Sequence, residues 1–258
     1  MTRILVTNDD GVVAPGIAAL ARAVVGAGHD VVIAASHADM TGWAAALGSF
    51  HADGGIDVQL VELDGLDGVP TYMVTGPPAL CVMAARLGGF GPPPDLVVSG
   101  INPGANTGRA TLHSGTVGAV LTGGNFGVSG LAVSIDVGEP ILWDTAGALA
   151  VLALEWLLDE PPKTLLNLNV PNLPLDELKG VRWARLAPFG TVRAQLVPGE
   201  NPNRLQMELR EHGEKLPEDS DTALVRDGYA AITSIVGIRA TDEVPVAAHI
   251  EQRLFELR

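Results

Sequence analysis

Ile4-Leu5-Val6-Thr7-Asn8-Asp9-Asp10-Gly11 sets a short apolar run against two adjacent carboxylates and a glycine. An apolar run this short, bounded by turn residues, reads as a buried strand. Asp9 and Asp10 then sit at its carboxyl tip, where Gly11 lets the backbone turn so that both side chains can converge. Two carboxylates that close repel unless a proton or a cation lies between them. One reading is therefore a metal site of hard oxygen ligands. The other is an Asp-Gly turn in which Asp9 caps the following helix.

Outward from this stretch, apolar runs alternate with helical patterns over the first two thirds of the chain. A helix is expected from about Pro15 to Val25, with Pro in its first turn and Gly26-Ala27-Gly28 as its stop. Further strands are expected at Val31 to Ala35, Val58 to Leu63, Tyr72 to Val74, Leu96 to Ser99, Leu131 to Ile135 and Leu165 to Val170. Helices fall between them at about Pro78 to Leu87, Gly115 to Phe126 and Thr145 to Leu158. This rhythm predicts an α/β fold, a doubly wound and mostly parallel sheet with helices on both faces. Beyond Pro171 the texture changes to strands at Val181 to Leu186, Val192 to Val197, Leu205 to Leu209 and Tyr229 to Ile235, with no helices between them. An amphipathic helix follows from Val246 to Leu257. Residues 1–172 are thus expected to form the core, and residues 173–258 a smaller part of hairpins and helix suited to oligomerisation.

Composition narrows the partners. Of 258 residues, 47% are hydrophobic and 18% charged, which suits a well-buried sheet or subunit interfaces. The net charge of −14, with a pI near 4.7, disfavours nucleic-acid polymers, whose binding rests on Lys and Arg neutralising phosphates. A small anionic substrate would also be repelled unless a bound cation reverses the local sign. The single cysteine, Cys81, excludes an intrachain disulfide and a zinc cluster and points to a reducing compartment. Its surroundings, Ala79-Leu80-Cys81-Val82-Met83, suit a packed helix position. The apolar stretch after Arg3 is too short for an export signal, and no run approaches the roughly 18 apolar residues of a membrane span. The expectation is a cytoplasmic protein with no membrane partner.

In open α/β sheets, ligands gather beyond the carboxyl ends of the strands. Three loops at that edge carry candidate chemistry: Asn8-Asp9-Asp10-Gly11, then Asp39-Met40-Thr41-Gly42, then Ser99 to Gly108 leading into His113-Ser114-Gly115-Thr116-Val117. Asp9, Asp10, the Thr41 hydroxyl and the Asn102 amide offer an oxygen-rich shell for Mg²⁺, Mn²⁺ or a similar ion. Ser114-Gly115-Thr116 opens a helix with free N–H groups and two hydroxyls, an arrangement suited to phosphate, or alternatively a plain N-cap. No Gly-Lys-Ser/Thr follows it, and no Gly-x-Gly-x-x-Gly follows the first strand. Ion and phosphate side by side would make a phosphomonoesterase, in which the metal lowers the pKa of an attacking water and offsets phosphoryl charge. His37 and His113 are candidates for a general acid, and Trp43 for stacking on a base.

These motifs resemble the SurE family of nucleotidases. The likeness runs through Ile4 to Val12 with Ala14-Pro15-Gly16-Ile17, Thr75-Gly76-Pro77-Pro78, Pro94 to Asn102, Ser114 to Val117, Asn167 to Pro171 and Asp227-Gly228-Tyr229. It implies a Rossmann-like core with a C-terminal hairpin and helix exchanged between subunits, as a homodimer or homotetramer. It also implies hydrolysis of nucleoside 5'- or 3'-monophosphates with one divalent cation per subunit. On the matching positions the metal ligands fall at Asp9, Asp10, Thr41 and Asn102, and the phosphate-side residues at Asn106 and Ser114. Asp9, Asp10, Asn106 and Ser114 form the implied catalytic set, with Gly115 and Thr116 beside the phosphate. The chain departs from the pattern at Ala35-Ser36-His37-Ala38, at Thr41 where the family has Ser, at His113 where it has Tyr, and in Leu121-Thr122-Gly123-Gly124, from which an acidic residue is absent. Two other readings remain open: a phosphatase for another small phosphate ester, and a nucleotide-binding protein that lost the reaction.

Overall fold

The structure, a computed structural model, describes residues 1–48, 54–188, 192–197, 205–211, 215–240 and 246–256. Nine strands form one sheet: β1 (Arg3–Thr7), β2 (Asp30–Ser36), β3 (Val58–Leu60), β4 (Thr71–Val74), β5 (Leu96–Pro103), β6 (Ser129–Ile135), β7 (Leu165–Val170), β8 (Val181–Trp183) and β11 (Ala230–Ile235). Their order is β3-β4-β2-β1-β5-β6-β7-β11-β8. The six from β4 to β7 run parallel, while β3 and β11 pair antiparallel to β4 and β7. A separate antiparallel hairpin joins β9 (Val192–Val197) to β10 (Gln206–Glu211).

The strands are apolar on both faces because both are covered. Ile4, Val6, Ile33, Val98 and Leu131 pack with Ile17 and Leu20 of α1 (Pro15–Gly26) and Leu149 and Leu154 of α4 (Trp143–Leu158). Alternate residues Leu5, Val32, Ala34 and Val97 face the other way, onto Cys81 and Val82 of α2 (Pro78–Arg86) and Ala119 of α3 (Gly115–Asn125). The period of two along each strand produces this division. Cys81 is fully buried and burial pushes its thiol up to about 12, so it packs as a small hydrophobe and is no nucleophile. No helix among the described residues is long and apolar enough to cross a membrane.

The doubly wound, mostly parallel sheet is as expected, with differences that have local causes. β5 runs on to Pro103, because a register shift between Ser99 and Asn102 lets it re-pair with β6. Gly100 makes this possible: its φ is +135°, and a Cβ there would lie 2.3 Å from the Val133 carbonyl oxygen. The chain after Pro171 is not free of helix between its strands. Residues Asp221–Arg226 form α5, whose cap is the Ser220 hydroxyl accepting the Ala223 N–H. At six residues it is too short to show a helical period. β8 and β11 extend the main sheet, and α6 (Val246–Glu256) ends the described chain.

β1 leads through α1 to β2 on one side and borders β5 on the other, so the strand order reverses there and opens a crevice at the carboxyl ends. The first turn of α1 is pressed against that point, since a Cβ on Gly16 would lie 2.0 Å from the Ile101 carbonyl oxygen. Gly16→Ala should therefore destabilise by about 1–3 kcal/mol through overpacking. Gly26→Ala, at the open end of the same helix with nothing within 4 Å, should stabilise by up to about 1 kcal/mol. Urea unfolding of both variants checks the two opposite signs.

Candidate active site

Asp9 is 2% exposed at the end of the central strand. The turn behind it closes through the Asn8 side-chain amide, which donates to the Gly11 carbonyl at 3.1 Å, with Gly11 at φ +107°. Asp9 Oδ1 accepts the Thr116 hydroxyl at 2.6 Å, and the Gly115 N–H also donates to the carboxylate. A Cβ on Gly115 would stand 2.6 Å from Asp9 Oδ2, so only glycine lets the start of α3 come this close. The positive end of the α3 dipole thus faces Asp9. Burial raises the Asp9 carboxyl above its ordinary range, while these hydrogen bonds pull against the rise.

Asp10 is supported by its own backbone N–H rather than by α3. Its Oδ2 is buried without a hydrogen-bond partner. Burial first, then the charges of Asp9 and Asp39, push its carboxyl up to about 7. Asn102 reaches the same place from β5: its Nδ2 donates to the Gly104 carbonyl at 2.7 Å, and its Oδ1 lies 3.4 Å from the Thr116 hydroxyl oxygen. The second loop is pinned by the Met40 N–H, which donates to the Asp9 carbonyl at 2.7 Å. It also lies against α3, where a Cβ on Gly118 would sit 2.2 Å from the Ala44 carbonyl oxygen. Thr41 is exposed, and both its N–H and its hydroxyl donate to Asp39 Oδ1, at 2.8 and 2.6 Å. Those bonds hold the Asp39 carboxyl below its usual range.

The donors suit a hard divalent ion: an orphaned carboxylate oxygen on Asp10, a second carboxylate on Asp9 and an amide oxygen on Asn102. Among the described residues no three His, Cys, Asp or Glu side chains gather as a metal site. An ion here would draw on amide and hydroxyl oxygens as well as the two aspartates.

On the other side of the crevice, Asn106 is held at several points. Its Nδ2 donates to Ser134 Oγ at 2.9 Å, and its carbonyl accepts the side-chain amides of Asn167 at 2.9 Å and Asn169 at 3.1 Å. Ser114 acts as the N-cap of α3, its Oγ accepting the Val117 N–H at 3.1 Å. Gly115 and Thr116 turn an N–H and a hydroxyl onto Asp9, because α3 starts directly over that carboxylate. His37, His113 and Trp43 are all exposed. Asp39, Asn167 and Asn169 were not expected in these roles. Asp39 had a local signal, since Asp with Thr two residues on is an Asx-turn spacing. The asparagines had one too: two polar residues on one face of a fully buried strand need a partner.

A family model described as Survival protein SurE matches residues 4–190. The chain belongs to the SurE family. A 5'-nucleotidase SurE of Chloroflexus aggregans is 39% identical over 241 residues, covering 90% of this chain and 92% of its own. A 5'/3'-nucleotidase SurE of Erwinia tasmaniensis is 35% identical over 259 residues, covering 98% of this chain and 94% of its own. In structure, the SurE protein of Aquifex aeolicus superposes with a TM-score of 0.77 at 27% identity, covering 98% of this chain and 99% of that one.

The Asp10 carboxyl has a sign that stability measurements can read. Its folded value of about 7 exceeds the ordinary 3.8, so the native state holds this proton more tightly than the unfolded chain does. Its contribution to stability is therefore lost as pH rises from about 4 through 7 and stays lost above. In chelator, Asp10→Asn should raise Tm at pH 8 relative to wild type and leave it little changed at pH 4, by scanning calorimetry.

Proposed function

We propose that the chain is a divalent-metal-dependent phosphomonoesterase that hydrolyses nucleoside 5'- and 3'-monophosphates. The observation that carries this reading is the Asp9–Asp10 pair at the strand-order reversal, with a buried and unpartnered Asp10 oxygen, beneath the start of α3 that Ser114 caps. The names of the relatives from Chloroflexus and Erwinia support the substrate class.

Asp9, Asp10 and Asn102 would hold the ion, and Thr41 would join through hydroxyl lone pairs left free when its proton goes to Asp39. Such an ion, when bound, lowers the pKa of a coordinated water and offsets charge on the phosphoryl group. The remaining roles fall to the protein. Asn106 spends one Nδ2 hydrogen on Ser134 and keeps the second for a phosphoryl oxygen. Ser114 accepts from Val117 with its oxygen and keeps its proton to donate. Thr116 holds Asp9 in one orientation and opposes the rise that burial imposes on its carboxyl. In a chain of net charge −14 a phosphate ester needs such local compensation to approach.

The C-terminal elements support an oligomer. α6 shows Val246, Ile250 and Leu254, spaced four apart, at 54%, 59% and 45% exposure, an apolar stripe fit for a second subunit. A homodimer or homotetramer in which hairpin and helix cross between subunits covers it. The single buried thiol fits a reducing cytoplasm.

EDTA should abolish release of phosphate from a panel of nucleoside 5'- and 3'-monophosphates, and Mn²⁺ or Mg²⁺ should restore it. Turnover indifferent to chelation would refute the metal, and sugar phosphates hydrolysed well ahead of every nucleotide would refute the substrate class. Ile250→Asp should shift the particle to monomer in light scattering, whereas an unchanged mass would remove α6 from the interface.

A further inference from the structure

Asp221 is completely buried, and its carboxylate is met by backbone N–H groups from three places in the chain. Oδ2 accepts the Gly108 N–H at 2.8 Å, across 113 residues of sequence. Oδ1 accepts the Ala187 N–H at 2.9 Å and the Thr222 N–H at 2.7 Å, with the Thr222 hydroxyl at 3.4 Å. A buried charge is tolerated only when its lone pairs are met, and N–H bonds to a carboxylate are among the stronger ones. Capping α5 does not account for the residue, because Ser220 already caps that helix through Ala223 and Asp221 Oδ2 is spent outside it.

Gly108 stands two residues after Asn106 and begins the 3₁₀ turn Gly108–His113 that delivers Ser114 to the start of α3. Asn167 and Asn169 hold the chain at the Asn106 carbonyl, and Asp221 holds it at the Gly108 N–H. We propose that Asp221 is a positioning residue for phosphate recognition. Through Gly108 it fixes the segment that carries Asn106 and Ser114, and through Ala187 it ties that segment to the chain that follows β8. The proposal rests on the nucleotidase reading for the identity of the anion.

Asp221→Asn keeps the shape but replaces one acceptor oxygen with a donor that opposes an N–H. With 5'-AMP as substrate and inorganic phosphate as competing ligand, KM and the phosphate inhibition constant should both rise at least about tenfold, as expected for a displaced binding group. The value of kcat should change far less, and Mn²⁺ affinity by calorimetry should stay at the wild-type level. Ser220→Ala serves as the control, lowering Tm while leaving KM and the phosphate constant unchanged. KM and phosphate constants at wild-type values in Asp221→Asn overturn the proposal, and so does an equal rise in Ser220→Ala, which would mean general loosening. If Asp221→Asn does not accumulate as folded protein, hydrogen exchange of wild type decides: a Gly108 amide as protected as those of β5 supports the staple, and exchange at open-loop rates overturns it. Wild type that hydrolyses no phosphate ester defeats the nucleotidase reading instead. Calorimetric binding of phosphate then still reads the loop, weaker in Asp221→Asn if the staple acts and equal if it does not.

Discussion

A carboxylate buried at the end of the central strand is the constraint around which this molecule is arranged. Asp9 is tolerable there because α3 begins directly above it, with the Gly115 N–H, the Thr116 hydroxyl and the helix dipole all aimed at its oxygens. That approach dictates further residues: glycine at 115, where a side chain would strike the carboxylate, and glycine at 118, where one would strike the Ala44 carbonyl. The second loop is then caught between β1 and α3, through the Met40 N–H on one side and Ala44 on the other. Asp10, one residue along, receives none of this compensation. The protein meets one carboxylate of the pair with the start of a helix and leaves an oxygen of the other without a partner.

The far side of the crevice is built by a different device. β7 alternates Leu166, Leu168 and Val170, which enter the core beneath α4, with Asn167 and Asn169, which turn to the α3 side. Both amides converge on one carbonyl, that of Asn106, while Ser134 from β6 takes the Asn106 side-chain amide. Neutral amides are suited to this task. A charged anchor so close to the site would alter its field, whereas an amide fixes backbone geometry and adds no net charge. A carboxyl anchor, Asp221, acts further along the segment, on Gly108.

The parallel core was legible because each of its strands is a short, nearly unbroken apolar run between turn residues. Asp9, Asp10 and Asn102 were legible for a related reason: each lies within a few residues of a strand end, so local pattern places it at the ligand edge. The rest depends on contacts that sequence spacing does not encode. Asn167 and Asn169 meet Asn106 across 61 and 63 residues, and Asp221 meets Gly108 across 113. Ser114-Gly115-Thr116 shows the same limit in miniature, since one local pattern serves a phosphate, a cap or a neighbouring carboxylate. Only the position of α3 over β1 gives Thr116 to Asp9. α5 escaped because fewer than two turns cannot display a period of 3.6.

Charge links the two sides of the crevice. Asp9, Asp10 and Asp39 together make a strongly negative field, and a phosphate monoester adds roughly −1.5 to −2 near pH 7. Without a cation, the ester meets repulsion and Asp10 keeps its proton or bears the cost of ionising. A divalent ion removes both penalties at once, so each ligand improves the site for the other. By linkage the two affinities must rise by the same factor, whichever binds first. The asymmetry of the pair has a use in this scheme. Under the proposed function Asp9, held by α3, would fix where the ion sits, while Asp10, with one oxygen unpartnered, would gain the more from its arrival.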